Sequence, residues 1–462
     1  MTGIPVLRAG RVVSRKLARL FGTNFAAAVR LRRDALKKVW TQGRPFLPLW
    51  RAAIPLRSYR RALPRDKVVM LVVSALRIDP RVERAARSAV RHGYRVTVVA
   101  PDISTPTLET EPLDWGPGIS FRILPGTAAE YVSRPPWLAG EEMYLAAISE
   151  PAALIHCHDL TTALIGLAAA RKTGSRCVCD FHEWWSENVS WSVADSAWIP
   201  HPAEKKFWLR MAERVALMNA DAIITVCDSI AVELSTLGPW KRRIDVIRNI
   251  PSLKGSGAVF TPLRDVIGAK PDHFVLLWQG GTGPSRLLEP VIESLKHEER
   301  LVLVIRGPSL EYFGEAYTLL ARSLGVEDRL VLLPPVRSAD VVDAARDADA
   351  GIWTLPNLSK NFYYALPNKI FEYMAAGIPV LVADYPEARR MIVDNEVGLA
   401  FDPYDPKSIA AAVRRLIDEP GLARRLRSNI PDVLRKIDAE HEWDKLAQVY
   451  RRVLPRGKNR QA

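Results

Sequence analysis

Short apolar runs separated by helical segments recur along most of the chain, and this alternation constrains the fold more than any other feature. Residues 68–74, 94–100, 153–156, 176–181, 222–227 and 245–248 form one set, interleaved with helical patterns over 79–92, 203–219 and 229–237. The run 68–74 is continuously apolar, without the alternation of a half-exposed strand, so it predicts a strand buried on both faces, and 94–100 reads as another. Strands that alternate with helices argue for a parallel sheet covered on both sides. The pattern then restarts. Strand-like runs at 274–278, 301–305, 330–333, 351–355 and 379–383 alternate with helical stretches at 286–295, 316–323, 339–345, 369–376 and 407–418. A polar stretch rich in Pro, Gly and Ser over 250–261 marks the boundary. The expectation is an α/β chain of two doubly wound units facing each other, with ligands outside the carboxyl ends of the strands, in the cleft.

The formal net charge of +14 is confined to one end. Residues 1–67 carry seventeen Lys and Arg against Asp34 and Asp66, which leaves the rest of the 462-residue chain within one charge of neutral. The body therefore offers no net positive field for nucleic acid, which is not expected as a partner. Within the extension, residues 8–40 read as an amphipathic helix. Val13, Leu17, Leu20, Phe21, Phe25 and Ala28 recur at helical spacing, mostly opposite Arg11, Arg15, Lys16, Arg19 and Arg33. This pattern suits an anionic membrane surface contacted through residues 1–40; a solvated helix docked on the body, a disordered arm or an organelle-targeting segment shares it. Residues 41–66, with four prolines, read as a tether. No run reaches the roughly 18 apolar residues of a membrane span, and the N-terminus has no apolar signal core. The expected location is the cytoplasm, peripheral at the cytoplasmic face of the membrane. Of the four cysteines, Cys177 and Cys179 share one face of a strand, and all four are expected to be buried thiols.

Two stretches carry candidate chemistry. The second unit opens with a strand running into Gln279-Gly280-Gly281-Thr282-Gly283-Pro284-Ser285-Arg286. Glycines in such a turn let backbone N–H groups approach an anion, and Arg286 adds a forked donor for a diphosphate. The second stretch is Leu366-Pro367-Asn368-Lys369-Ile370-Phe371-Glu372-Tyr373-Met374-Ala375-Ala376-Gly377. Its helix would begin at Pro367 and Asn368 and stop at Gly377. Lys369 at the helix start opposes the helix dipole unless an anion shares the site, and Glu372 is one turn further in, able to accept from a ribose diol. Near the end of the first unit's strands, His156-Cys157-His158-Asp159 offers too few ligands for a metal site, and none is expected. His158 and Asp159 are weak candidates near an acceptor. Trp184, Trp185, Trp191, Trp198 and Trp208 crowd the segment after His182, where they would stack on a sugar, meet lipid or simply pack.

The 366–380 stretch resembles the donor-site helix of glycosyltransferase family 4, the retaining enzymes of GT-B fold that use sugar nucleotides. The resemblance extends over roughly residues 68–450. Asp79-Pro80-Arg81-Val82, His92-Gly93-Tyr94-Arg95-Val96, Asp180-Phe181-His182-Glu183, residues 220–226 and Val246-Ile247-Arg248-Asn249-Ile250-Pro251 contribute to it. It implies two Rossmann-like domains: an acceptor domain over 68–250 and a donor domain over 251–440, with a helix in 441–462 crossing back to the first. It also implies roles. Glu372 would hold the ribose, as the second glutamate of an E-x7-E motif. Arg286 would grip the donor diphosphate, with Gly280, Gly281 and Gly283 around it. His182 would contact the transferred sugar, Val336 would meet the base through its backbone, and Asn368 and Lys369 would touch the donor. His182, Arg286 and Lys369 are the catalytic candidates; Trp184 and Trp185 join His158 and Asp159 on the acceptor side. One departure stands out: Tyr364 occupies the place of the first glutamate. The implied activity is transfer of a sugar from a UDP- or GDP-sugar to a lipid-linked or polysaccharide acceptor, without metal or other cofactor. A sugar-nucleotide epimerase of the same architecture and a degenerate, membrane-bound scaffold are the alternatives.

Overall fold

The computed structural model describes residues 63–454 except 75, 77–78, 103–112, 128–139, 193–196, 239–241 and 438. The basic helix expected over residues 8–40 lies outside the described residues, as does most of the tether. Its last residues are not a free tether. The Pro64 carbonyl accepts from Ala153 N at 3.1 Å, and Asp66 pairs with Arg95 at 2.7 Å.

The strands, in chain order, are β1 Lys67–Leu71, β2 Arg95–Asp102, β3 Ile119–Thr127, β4 Leu154–His158, β5 Arg176–Phe181, β6 Val189–Ser192, β7 Ala197–Pro200, β8 Ala222–Thr225, β9 Asp245–Val246, β10 Phe274–Gln279, β11 Leu301–Arg306, β12 Leu330–Leu333, β13 Ala350–Trp353, β14 Val380–Ala383 and β15 Gly398–Phe401. They build two parallel sheets, ordered β3-β2-β1-β4-β5-β8-β9 and β12-β11-β10-β13-β14-β15, and an antiparallel hairpin of β6 and β7. Every residue of β4, β8, β10, β11, β13 and β14 is buried, as the uninterrupted apolar runs require of strands covered on both faces. Strand order reverses between β1 and β4 in one sheet and between β10 and β13 in the other. Such switch points open a crevice at the strands' carboxyl ends.

The first sheet carries a core on each face, and the second unit has a core of its own. The helix Pro80–Arg91 starts where the sequence predicts, with the Asp79 side chain accepting from Val82 N at 3.2 Å. The final helix, Ala439–Val453, packs Trp443, Leu446, Val449 and Tyr450 into the first unit. It is tied there by Ser88 Oγ donating to the Trp443 carbonyl at 2.8 Å and by Arg248 N donating to Glu442 at 2.8 Å.

Two expected helices are corrected. The stretch 286–295 divides into a 3-10 turn, Pro284–Arg286, and a short helix, Glu289–Ser294. Pro290 lacks an N–H and its ring clashes with a helical carbonyl four residues earlier, at Arg286 itself, so no helix runs through that point. Likewise 339–345 forms two 3-10 turns, Ser338–Asp340 and Asp343–Ala345. Among the described residues, no helix is long and apolar enough to cross a membrane. The four cysteines are free and buried.

Candidate active site

The residues expected to hold the donor converge at the end of β10. Tyr373 lies under the strand: its ring occupies the space that a Cβ at Gly351 would fill, and its hydroxyl accepts from Gln279 N at 2.7 Å. This contact clamps the helix Asn368–Ala375 against the glycine turn. Gly280 has φ +134°, and a Cβ there would lie 2.9 Å from Lys369 Nζ, so turn and lysine touch. Gly281 lies beside the Arg286 guanidinium. Gly283 does not present a free amide, because its N–H is donated to the Tyr317 hydroxyl at 2.9 Å. Arg286 ends the 3-10 turn rather than opening an α-helix, so it acts as a forked cation without a helix dipole behind it.

Lys369 Nζ sits 3.6 Å above the centroid of the buried Trp278 ring. Burial, reinforced by Arg286 and opposed by Glu372, pushes the ammonium down to about 7. Glu372 is raised by burial, with Lys369 and Arg84 of the other unit pulling the other way. Among the described residues, Lys369, Arg286 and Glu372 have no ion-pair partner and no side-chain hydrogen bond, nor does the Asn368 side chain. The site thus holds two basic side chains and a carboxylate, none of them paired within the protein. Val336 is half-buried in the loop after β12, the outermost strand.

Facing them, the ends of β4 and β5 hold a buried polar network. Arg81 grips Asp180 through both donors, at 2.7 and 3.2 Å, and donates to the Ile247 carbonyl at 3.0 Å. Burial works against the Asp180 carboxylate, but Arg81 and His182 hold it well below the usual range. His182 Nδ1 lies 3.3 Å from Asp159, while Nε2 lies 3.1 Å from His158 Nδ1 and 3.6 Å from Asp180. Burial alone lowers this imidazole's pKa; Asp159 and Asp180 outweigh it and raise the group above 6.5. The His156 and His158 rings stack at 4.3 Å, and His156 Nδ1 meets the Tyr450 hydroxyl of the final helix at 2.6 Å.

This network corrects the acceptor-side expectations. His158 is closed to solvent, kept neutral by burial and by His156 and His182, and serves to hold His182. Trp184 is 2% exposed and belongs to the core, so it offers no stacking surface. Trp185 donates its indole N–H to Asp159 at 3.0 Å. Asp159, at φ +63°, spends its carboxylate on that indole, on His182 N at 2.9 Å and on the His182 ring. His182 has both ring nitrogens engaged within the protein, so it offers the cleft a ring edge rather than a free nitrogen.

Several participants carried no local sign of their partners. Arg81, Asp180 and Glu183 were legible only as parts of family-like segments, and Tyr450 not at all. The ligating atoms of His156, His158 and Asp180 lie within 4.8 Å of one another, as do those of Cys157, Cys177 and Cys179. Asp180 is already committed to a guanidinium, which repels a cation. The three thiols are packed in an apolar core, and burial pushes that of Cys157 well up.

Tyr364 bridges the cleft. Its hydroxyl donates to Glu233 of the first unit at 3.0 Å, where Lys360 pairs at 2.8 Å, and its carbonyl accepts from Cys227 Sγ at 3.4 Å. Trp184 N donates to Asn361 at 2.8 Å and Ser229 N to Glu387 at 2.7 Å, so the two units are joined by backbone as well as side chains.

With this geometry in hand, similarity to known proteins is specific. Residues 78–249 match the Glycosyl transferase 4-like domain, and residues 268–433 match the Glycosyl transferases group 1 family. A D-inositol 3-phosphate glycosyltransferase of Rhodococcus jostii (strain RHA1) is 26% identical over 313 residues, 64% of this chain and 66% of that protein. D-inositol 3-phosphate glycosyltransferase 2 of Catenulispora acidiphila is 27% identical over 326 residues, 66% of this chain and 70% of that one. The match thus spans about two thirds of the length of these relatives. Among solved structures, sucrose-phosphate synthase from Thermosynechococcus elongatus superposes with a TM-score of 0.65 at 17% identity, covering 84% of this chain and 99% of that one. Anabaena HepE in complex with UDP-glucose gives 0.62 at 15%, covering 84% and 99%. These likenesses establish the GT-B architecture.

Proposed function

Because the chain belongs to glycosyltransferase family 4, we propose that it moves a sugar from a UDP- or GDP-sugar to an acceptor hydroxyl, with retention of anomeric configuration. The observation that carries this reading is the pair Lys369 and Arg286 beside the Gly280 turn, neither of them ion-paired, together with the unpaired Glu372. A nucleoside diphosphate supplies what each lacks: phosphate oxygens for the two cations and a ribose diol for the carboxylate. The backbone of Val336 and the Asn368 amide are further donor contacts in this reading. Arg286 and Lys369 stabilise the charge that develops as the diphosphate departs, an effect strongest when the closed cleft excludes water. His182, whose protonated form Asp159 and Asp180 favour, lies at the cleft floor near the transferred sugar. No metal enters this scheme.

The proposed acceptor is a growing glycan or glycolipid, presented at the cytoplasmic face of an anionic membrane that residues 1–40 contact. The names of the inositol-phosphate relatives favour a second reading, a phosphorylated polyol as acceptor. A thermal-shift screen of UDP- and GDP-sugars tests the donor assignment. Stabilisation by at least one is expected, and none would remove the donor site. Glu372→Ala should weaken nucleotide binding by about 10- to 100-fold, the loss of a charge-assisted hydrogen-bond pair; unchanged affinity removes the ribose assignment. Product analysis separates transfer from epimerisation, and binding without turnover would point to a scaffold.

A further inference from the structure

The carboxyl end of β5 presents one free acid to the cleft. Asp180 and Phe181 are closed to solvent, His182 is committed to Asp159 and His158, and Trp184 is core. Glu183 is exposed. Its Oε2 accepts from Asn188 Nδ2, while Oε1 has no protein partner among the described residues. Arg286 of the opposite domain acts on its charge, and the hairpin strand β7 packs on the Pro284–Arg286 turn, so the acid and the glycine turn stand on facing walls of the cleft.

We propose that Glu183 is a catalytic residue that takes the proton of the incoming acceptor hydroxyl. This deepens the transferase reading and rests on it. The acceptor oxygen forms the new bond to the anomeric carbon. The bond from that carbon to the diphosphate breaks, its electron pair leaving with the diphosphate on Arg286 and Lys369. The hydroxyl proton passes to Oε1 of Glu183 and is released to solvent after the product departs. In a front-face path the acceptor enters beside the departing diphosphate, and the charge of Arg286, which holds that diphosphate in the proposed scheme, reaches Glu183.

The groups facing the carboxylate agree with this role. Desolvation by the surrounding protein, with Asp159 adding to it, pushes the acid up, to at most about 7 because the side chain is open to solvent, while His182, Asn188 and Arg286 restrain the shift. A base poised near the working pH transfers protons most effectively. Ionisation is required, so activity should rise with pH through about 7 and level off above it.

The test measures UDP release from UDP-glucose and GDP release from GDP-mannose, with D-inositol 3-phosphate or water alone as acceptor. It compares the full-length protein with Glu183→Gln and Asn188→Ala. Glu183→Gln is expected to lower kcat by about 100-fold or more, to abolish the acidic limb of the pH profile, and to leave stabilisation by UDP or GDP unchanged. Asn188→Ala, which removes a hydrogen bond to the ionised form, should shift that limb to higher pH. A Glu183→Gln variant with wild-type kcat and an intact limb overturns the assignment while the transferase reading stands. So does a change confined to KM, which would make Glu183 a binding contact. A wild-type protein that neither binds the nucleotides nor releases them would instead bring down the transferase reading, and this proposal with it.

Discussion

If Lys369 holds the donor diphosphate as proposed, nucleotide binding carries a measurable proton balance. Its ammonium, pushed down to about 7 by burial and by Arg286, is largely neutral above that pH while no anion is present. A bound diphosphate restores the charged form, so nucleotide binding must draw a proton from solution. At pH 8 roughly nine in ten Lys369 side chains are unprotonated in the free protein, and binding should take up about 0.9 proton; at pH 6 the uptake falls to about 0.1. The shift from 10.5 is worth about 5 kcal/mol of destabilised charge. Part of it is returned when the phosphates arrive. The last phosphate proton of UDP or GDP leaves near pH 6, so the range from pH 7.5 to 9 isolates the lysine. There the affinity should fall by about twentyfold, as linkage to one such group requires. Calorimetric titration of UDP and GDP in buffers of differing ionisation enthalpy reads both quantities. Lys369→Met should remove the uptake and flatten the pH dependence. Tight nucleotide binding at pH 8 with no proton uptake would refute the assignment of Lys369 as the diphosphate partner.

Two further outcomes follow from the opposite wall and from the extension. Arg81→Met leaves Asp180 buried without its cation and should cost about 3–5 kcal/mol in urea unfolding; a loss below about 1 kcal/mol would show that the pair does not organise the network. Since Asp180 is held below its ordinary 3.8, the contribution it makes is complete above that pH and disappears as the solution is acidified below it, and the variant should lack that acid dependence. Deleting residues 1–62 should abolish sedimentation with phosphatidylserine-containing vesicles and leave stabilisation by UDP or GDP intact. The deletion stops there because Pro64 and Asp66 are bonded to the body. Vesicle binding that survives it would refute the membrane role of the extension.

The central strands were legible because burial on both faces leaves a run such as Phe274–Gln279 nearly free of polar residues. Edge strand β3 was not, since Arg122 and Pro125 interrupt it where half-exposure permits them. Pro290 was in plain view, and its four-residue clash with Arg286 could have divided the helix in advance. The conflict of Lys369 with its helix dipole correctly marked a residue in an unusual electrostatic environment. Long-range partners were out of reach. Arg81 and Asp180 are 99 residues apart, His156 and Tyr450 are 294 apart, and Tyr364 meets Glu233 across 131. Nothing local in either member of these pairs names the other. Tyr364 shows the point most clearly: the sequence reveals a missing glutamate, whereas the fold puts a cross-cleft contact in its place.

The final helix has a consequence for synthesis. The core of the first domain contains Trp443, Leu446, Val449 and Tyr450, so a nascent chain that has emerged only as far as residue 430 has all of its donor domain strands but an open face on the domain made first. Domains ordinarily mature in the order they leave the ribosome; here the second can close before the first. A premature stop near the C-terminus would therefore damage the wall that carries His182 and Glu183, and spare the proposed nucleotide side.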